Sequence, residues 1–357
     1  MFLNSNASRF APGYETKIPV GLLGATGSVG QRFVQLLAQH PWFDLVWLAA
    51  SDARVGESYG SQVAWAQSDA LPESVASMPL QKSTEANAGA TPLAFSALPA
   101  SAAGPLESLL SERGIFIVSN AASHRMDPDV PLLIPEVNAD HLDHMAGKRL
   151  VTGPNCCVAG LMLALAPLHQ AFGLKRIFVA TMQALSGAGL PGAAGPLAEA
   201  NVVPHINGEV DKLETEPYKL LSTWVEGKFA RPDFKISALC NRVPVVDGHT
   251  MSVSLELQTS ASSAELVQTW KSFRAEPQTL NLPSAPAQPV QYHTDPYAPN
   301  PREYAPRNGG MTTHIGQLAP CPILGHKFTL TSHNTLRGAA AGNLLIAELL
   351  AAKGLLS

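Results

Sequence analysis

Lys17-Ile18-Pro19-Val20-Gly21-Leu22-Leu23, followed at once by Gly24-Ala25-Thr26-Gly27-Ser28-Val29-Gly30, decides the fold. The first seven residues read as a buried strand. Val29, Phe33, Leu36 and Leu37 then recur at helical spacing as far as His40-Pro41, where proline ends the helix. Strand, glycine turn and helix form the context that a dinucleotide fingerprint needs. Glycines let the backbone close on a pyrophosphate, and a helix N-terminus favours its charge. The spacing is GxxGxxG and not GxGxxG, so the turn by itself also fits a glycine-rich loop without a ligand. Gly24, Thr26, Gly27, Ser28 and Val29 are the cofactor-binding candidates here.

A second strand at residues 45–50 leads to Ser51-Asp52-Ala53-Arg54. An acidic residue at this strand tip binds the ribose hydroxyls of NAD and repels a 2′-phosphate. Ser51 occupies that place with Arg54 close behind, which suits NADP, while Asp52 argues the other way. Strands at 92–96, ending in Ser96, and at 115–119 flank a helix at 101–113. This alternation predicts a parallel, doubly wound sheet. Residues 120–138 are irregular and proline-rich, and Arg125 among them is either an anion ligand or a solvated loop arginine.

The second decisive stretch is Gly153-Pro154-Asn155-Cys156-Cys157-Val158-Ala159-Gly160, which runs into the apolar residues 161–168. It predicts a strand end at 149–152, a tight turn, and a helix beginning at the cysteines. A thiol at a helix N-terminus faces unpaired N–H groups and the positive end of the macrodipole. Both favour the nucleophilic thiolate, and the same N–H groups can receive an oxyanion. Two small, soft side chains filling a buried helix start are the other reading.

Beyond it, strand-like runs at 175–184, 236–245 and 251–258 with a helix at 264–273 predict an α+β layer. One face of such a sheet suits a dimer contact. Gln183 opens a glycine loop containing Ser186 and Gly187. Glu209 and Lys212 share a helix face, as ligands or as a solvated pair. Arg242 and His249 flank a turn. Residues 279–308 read as a long loop. A strand at 328–331, Ser332-His333-Asn334-Thr335 and an alanine- and leucine-rich helix at 336–353 close the chain. The fold class is therefore α/β: a Rossmann-type doubly wound nucleotide-binding domain (1–154 with 332–357, including a 1–16 extension) and an α+β catalytic and dimerisation domain (155–331).

The 357 residues suffice for two domains; 46% are hydrophobic and 15% charged, with net charge −4. No basic face for nucleic acid is implied. The partners expected are small molecules or further copies of the chain. Four cysteines, two adjacent, make no disulfide framework and fit a reducing cytoplasm. Residues 1–16 lack an apolar core of signal-peptide length, and 161–168 is too short to span a bilayer.

Taken together, the Gly24–Gly30 run, Arg125-Met126-Asp127-Pro128-Asp129-Val130-Pro131-Leu132, Pro154-Asn155-Cys156, residues 183–192, Glu209 with Lys212, 242–250 and 334–339 carry a resemblance. The chain resembles the aspartate-semialdehyde dehydrogenases of archaea and fungi along nearly its whole length after residue 16. The resemblance implies interconversion of L-aspartate 4-semialdehyde, phosphate and NADP⁺ with 4-phospho-L-aspartate and NADPH, without a metal, in a homodimer or homotetramer. By the same resemblance Cys156 is the nucleophile, His249 the acid/base, and Gln183, with Asn155 beside it, orients the acyl group. Arg242 holds the α-carboxylate, Glu209 the α-ammonium, and Arg125 with Lys212 the phosphate. Ser51, Ser96, Ser186, Gly187 and Asn334 fall at NADP-contacting positions.

The chain departs from the family's usual Cys-Ser-Thr at Cys156-Cys157-Val158. The resemblance implies that Cys157 points away from the nucleophile. Two rival readings are a malonyl-CoA reductase-like enzyme, which keeps Cys156 and His249 but replaces the amino-acid clamp, and a non-catalytic NADP-binding redox sensor using the cysteine pair. N-acetyl-glutamyl-phosphate reductase shares the chemistry but leaves Glu209 without an ammonium partner.

Overall fold

The computed structural model describes residues 3–50, 54–84, 91–145, 147–189 and 200–356. The first sheet comprises β1 (Ile18–Leu23), β2 (Phe43–Ala50), β3 (Leu80–Lys82), β4 (Leu93–Ser96), β5 (Phe116–Ser119) and β6 (Leu150–Thr152). They lie in the order β3-β2-β1-β4-β5-β6, every pair parallel. Ile18, Val20 and Leu22 enter one core and Leu23 another, so β1 is covered on both faces and its sequence is almost continuously apolar. The order reverses between β1 and β4, and dinucleotides bind such sheets in the crevice at that reversal. β3 escaped the sequence reading because its three residues are too few to alternate.

Gly24 follows β1 with φ +73°, and a Cβ there would lie 2.7 Å from the Ala97 carbonyl oxygen. This left-handed, crowded turn delivers the chain into α1 (Ser28–Leu37), while α2 (Ala100–Glu112) crosses from β4 to β5.

Next come α3 (Cys156–Phe172), β7 (Leu174–Gln183), α4 (Glu209–Leu220), β8 (Thr223–Val225), β9 (Lys228–Ala230), β10 (Lys235–Arg242) and β11 (His249–Leu257). The chain finishes with α5 (Ser263–Ser272), β12 (Val290–Tyr292), β13 (Thr313–Cys321), β14 (Gly325–Ser332) and α6 (Ala340–Ala352). The second sheet is mixed, in the order β10-β7-β11-β14-β13-β12, and β8 pairs only with β9. Residues 157–168 of α3 are all buried, because the helix is wrapped on every side. Leu161 and Leu165 share a core with Val179, Val253, Leu266 and Trp270. The opposite face of this sheet leaves Phe178 and Leu239 exposed.

Several boundaries differ from the sequence reading, which also missed β13 and began β2 and β14 two or three residues late. β10 ends at Arg242 because Val243 precedes a proline, which has no N–H for the ladder. The predicted loop at 279–308 contains β12, again too short to show a period. The last helix starts at Ala340 because the turn before it packs on the start of α3: a Cβ at Gly338 would lie 2.8 Å from Cys156 Cα. Leu344, Leu345 and Leu349 of α6 join Val20, Leu22 and Phe33 in one core. Among the described residues no helix is long and apolar enough to cross a membrane.

Candidate active site

Four strands deliver residues to one end of the second sheet. Gln183 closes β7 beside Arg242 at the end of β10, and His249 opens β11 opposite Ser332 at the end of β14. The N-terminus of α3 meets this end. Asn155 caps it, its Oδ1 accepting from the Cys157 N–H (2.9 Å) and the Val158 N–H (3.3 Å). The cap therefore works through backbone, and the absent hydroxyl at Val158 does not disturb it.

Cys156 Sγ lies 3.2 Å from His249 Nε2. The Ala184 N–H donates to His249 Nδ1 at 3.0 Å, which assigns the ring proton to Nε2, facing the sulfur. Cys157 lies in the core and does not line the cleft, but its sulfur stays near that of Cys156. The two sulfurs and a ring nitrogen of His249 all lie within 4.8 Å of one another. Neighbours on a helix project about 100° apart, an angle that two short thiols span. Hydrogen bonding from the Cys157 thiol is the largest influence on Cys156, and with the His249 imidazole it outweighs burial and holds Cys156 well below the ordinary thiol value. Burial, reinforced by the sulfur next to it, pushes Cys157 well above. One thiol is thus the easier to ionise and its neighbour the harder. The ring likewise turns a proton toward the Cys156 sulfur.

Glu209, at the first position of α4, is the hub of the polar shell. Its carboxylate accepts from Asn155 Nδ2 at 3.0 and 2.9 Å, from Gln183 Nε2 at 3.1 Å and from Lys212 Nζ at 2.7 Å. Burial alone would raise it, but the Lys212 ammonium and the two amides hold it below the usual carboxylate value. One face of the same helix carries Glu216, which the sequence reading missed. It accepts from the Asn155 N–H at 2.6 Å and from Arg125 Nη1 at 3.0 Å. Its spacing of four from Lys212 and seven from Glu209 was the available signal. Arg125 also donates from Nη2 to the Asn120 carbonyl at 2.8 Å, and its buried Nε has no partner.

A cleft of about 350 Å³ joins the two domains' contributions. Ser28 and Val29 of α1 line it together with Arg125, Asn155, Cys156, Ser186, Gly187, Glu209, Lys212 and Asn334. Asn334 bridges Ser186 Oγ (2.8 Å) and the Gly248 N–H (2.9 Å), tying the glycine loop to the residue before His249. A Cβ at Gly187 would lie 2.7 Å from Arg242 Nη1 and 3.0 Å from His249 Cε1, so a side chain there would press on both. Arg242 and Gln183 sit buried behind this loop, Arg242 donating to the Ala184 carbonyl at 2.7 Å. Gly24, Thr26 and Gly27 form the turn into α1, and Ser96 is buried at the end of β4. Arg54 lies in the turn after β2 and does not line the cleft. Ser51 falls outside the described residues, as does the end of the glycine loop from Leu190.

The fold and the cleft define a dinucleotide-dependent oxidoreductase with a thiol at its centre. Residues 19–145 match the family model "Semialdehyde dehydrogenase, NAD binding domain", and residues 165–337 match "Semialdehyde dehydrogenase, dimerisation domain". Aspartate-semialdehyde dehydrogenase of Methanothermobacter thermautotrophicus is 41% identical over 343 residues, 93% of this chain and 99% of the relative. The Saccharomyces cerevisiae enzyme of the same name is 40% identical over 358 residues, covering 94% and 98%. The Candida albicans aspartate-semialdehyde dehydrogenase structure, solved with NADP, superposes with a TM-score of 0.87 at 36% identity, covering 95% of this chain and 99% of that one. The chain belongs to the aspartate-semialdehyde dehydrogenase family, and its cofactor is a nicotinamide dinucleotide.

Proposed function

We propose that the chain interconverts 4-phospho-L-aspartate and NADPH with L-aspartate 4-semialdehyde, phosphate and NADP⁺, in lysine, threonine, methionine and isoleucine biosynthesis. The observation that carries this reading is Cys156 Sγ at the start of α3, 3.2 Å from His249 Nε2, opening on the same cleft as Ser28 and Val29.

The residues present suit the dinucleotide. Helix α1 begins at Gly27 without a side-chain cap, so the N–H groups of its first turn are open to a pyrophosphate. Ser96 Oγ, buried and unpartnered beside the strand-order reversal, is a further polar contact. Arg54 supports NADP over NAD. The substrate's α-carboxylate falls to Arg242, its α-ammonium to Glu209, and its phosphate to Lys212 and Arg125, whose unpartnered Nε needs an acceptor.

In the biosynthetic direction the Cys156 thiolate attacks the acyl carbon, a thioester forms, and phosphate leaves, taking a proton from solvent. NADPH, which the N-terminus of α1 would hold, would supply hydride to the thioester carbon. His249 Nε2–H holds the oxygen as it gains charge, since the first-turn N–H groups of α3 are taken by the Asn155 cap. Collapse of the thiohemiacetal releases the aldehyde and restores the Cys156 thiolate, again held by Nε2–H. Gln183, fixed by Glu209, orients the acyl group.

The outer face of the second sheet, with Phe178 and Leu239 exposed, supports a homodimer, and pairing of dimers would give a tetramer. Free thiols at all four cysteines support a cytoplasmic setting. The Glu209 and Arg242 clamp and the names of the relatives favour this chemistry over malonyl-CoA reduction or redox sensing. Intact-mass spectrometry tests the covalent step. With semialdehyde and NADP⁺ but no phosphate, an acyl adduct accumulates on Cys156, and phosphate discharges it. No adduct under these conditions counts against the thioester.

A further inference from the structure

The thiol cleft leaves a larger cavity on the far side of α4 without a role. It measures about 670 Å³, within the range of small-molecule sites, and lies between α4, the irregular stretch after Arg125 and the β8–β9 hairpin. Its walls are aromatic. Trp224 stacks on His144 with ring centroids 4.1 Å apart and meets Phe229 edge-on at 4.9 Å. Arg231 lies 3.6 Å above the centre of the Tyr218 ring.

The charges around these rings are mostly positive. Lys219, Lys228 and Arg231 line the cavity, and the single lining carboxylate, Asp129, is paired with Lys148 at 2.6 Å. Among the described residues no carboxylate pairs with Lys228 or Arg231. Trp224, 40% exposed and framed by cations that no carboxylate pairs, fits a flat anion. We propose that this cavity is a binding site for a small planar aromatic carboxylate, its ring against Trp224 and Phe229 and its carboxylate on Arg231 and Lys228. Burial pushes Lys219 down to about 8 despite nearby Asp127, Asp129 and Glu216, so an added anion is favourable there as well.

The site also touches the chemistry. Lys219 Nζ donates to the carbonyls of Arg125 (2.7 Å), Asp127 (2.6 Å) and Val130 (2.7 Å), so it holds the segment that presents Arg125 to the cleft. On α4, Glu209, Lys212 and Glu216 face the thiol while Thr215, Tyr218 and Lys219 face the cavity. An anion drawn to Lys219 therefore alters the setting of Arg125, and with it phosphate affinity. Only this last consequence rests on the proposed reaction.

Calorimetric titration of the full-length protein with naphthoate, and with the uncharged naphthamide as its control, tests the site. One naphthoate binds per chain, and naphthamide binds about tenfold more weakly or worse, the loss of a charge-assisted hydrogen bond. Arg231→Met weakens naphthoate by about tenfold or more, and Trp224→Ala by roughly threefold to tenfold. Both side chains lie at the surface, and unchanged Tm values show that the variants fold. Saturating NADP⁺ and Cys156→Ala leave the affinity unchanged. Equal binding of acid and amide, indifference to both variants, or displacement by NADP⁺ each overturns the proposal. In turnover assays naphthoate shifts the phosphate KM at least about twofold, and Arg231→Met abolishes the shift. A phosphate KM that stays constant while calorimetry records binding overturns the link to Arg125.

Discussion

The sulfur of Cys156 stands 3.2 Å from Nε2 of His249, and the Ala184 N–H on Nδ1 determines that the proton between them starts on the ring. Hydrogen bonding from Cys157, then the His249 imidazole, holds the Cys156 thiol well below its ordinary value. The rate of alkylation by iodoacetamide against pH should show a midpoint well below the ordinary thiol value of about 8.5. Cys157→Ala moves that midpoint upward, because the largest downward influence is lost. An ordinary midpoint in the parent protein, or no movement in the variant, contradicts the arrangement.

Glu209 links pH to stability. Its folded pKa is depressed, so its contribution is present above the unfolded value of about 4.3 and is lost as pH falls through the lower folded value. Urea unfolding of the parent protein should weaken steadily through that acid window. Glu209→Gln flattens the decline there and lowers stability at neutral pH, where Lys212 loses its partner. A parent and variant with parallel pH profiles would sink this assignment.

At Gly187 even a methyl group lies too close to Arg242 and His249. Gly187→Ala pushes the imidazole away from Cys156, and misplacement of this kind costs on the order of 100-fold in rate. The loop is at the surface of the cleft, so Tm changes little. Steady-state kinetics beside a melting curve separates the two effects; full activity would mean that the loop yields freely.

Much of this was legible in the sequence for identifiable reasons. Buried parallel strands such as β1 are continuous apolar runs, and Pro41 and Gly24 punctuate them, so the nucleotide domain could be read directly. The start of α3 at the cysteines followed from Asn155, a capping residue. Glu209 and Lys212 showed themselves as a pair three apart, but the burial of Glu209 depends on β7 and β10, which come together only in the fold. Glu216 was missed for the same reason: a charged residue on a helix reads as solvated until Arg125, 91 residues earlier, is brought against it. The influence of Cys157 on its neighbour's ionisation was not foreseen, because nothing in the spacing shows how near the two sulfurs lie. The short strands β3, β8, β9 and β12 have too few residues to show a period.

The central claim is that Cys156 carries the acyl group in a phosphate-dependent dehydrogenation. The most direct measurement is the NADPH absorbance band with purified protein, NADP⁺ and L-aspartate 4-semialdehyde, with phosphate present or omitted. The account predicts NADPH formation only with phosphate, abolished in Cys156→Ala and retained in Cys157→Ala. Sustained turnover without phosphate, or activity that survives in Cys156→Ala, would contradict it.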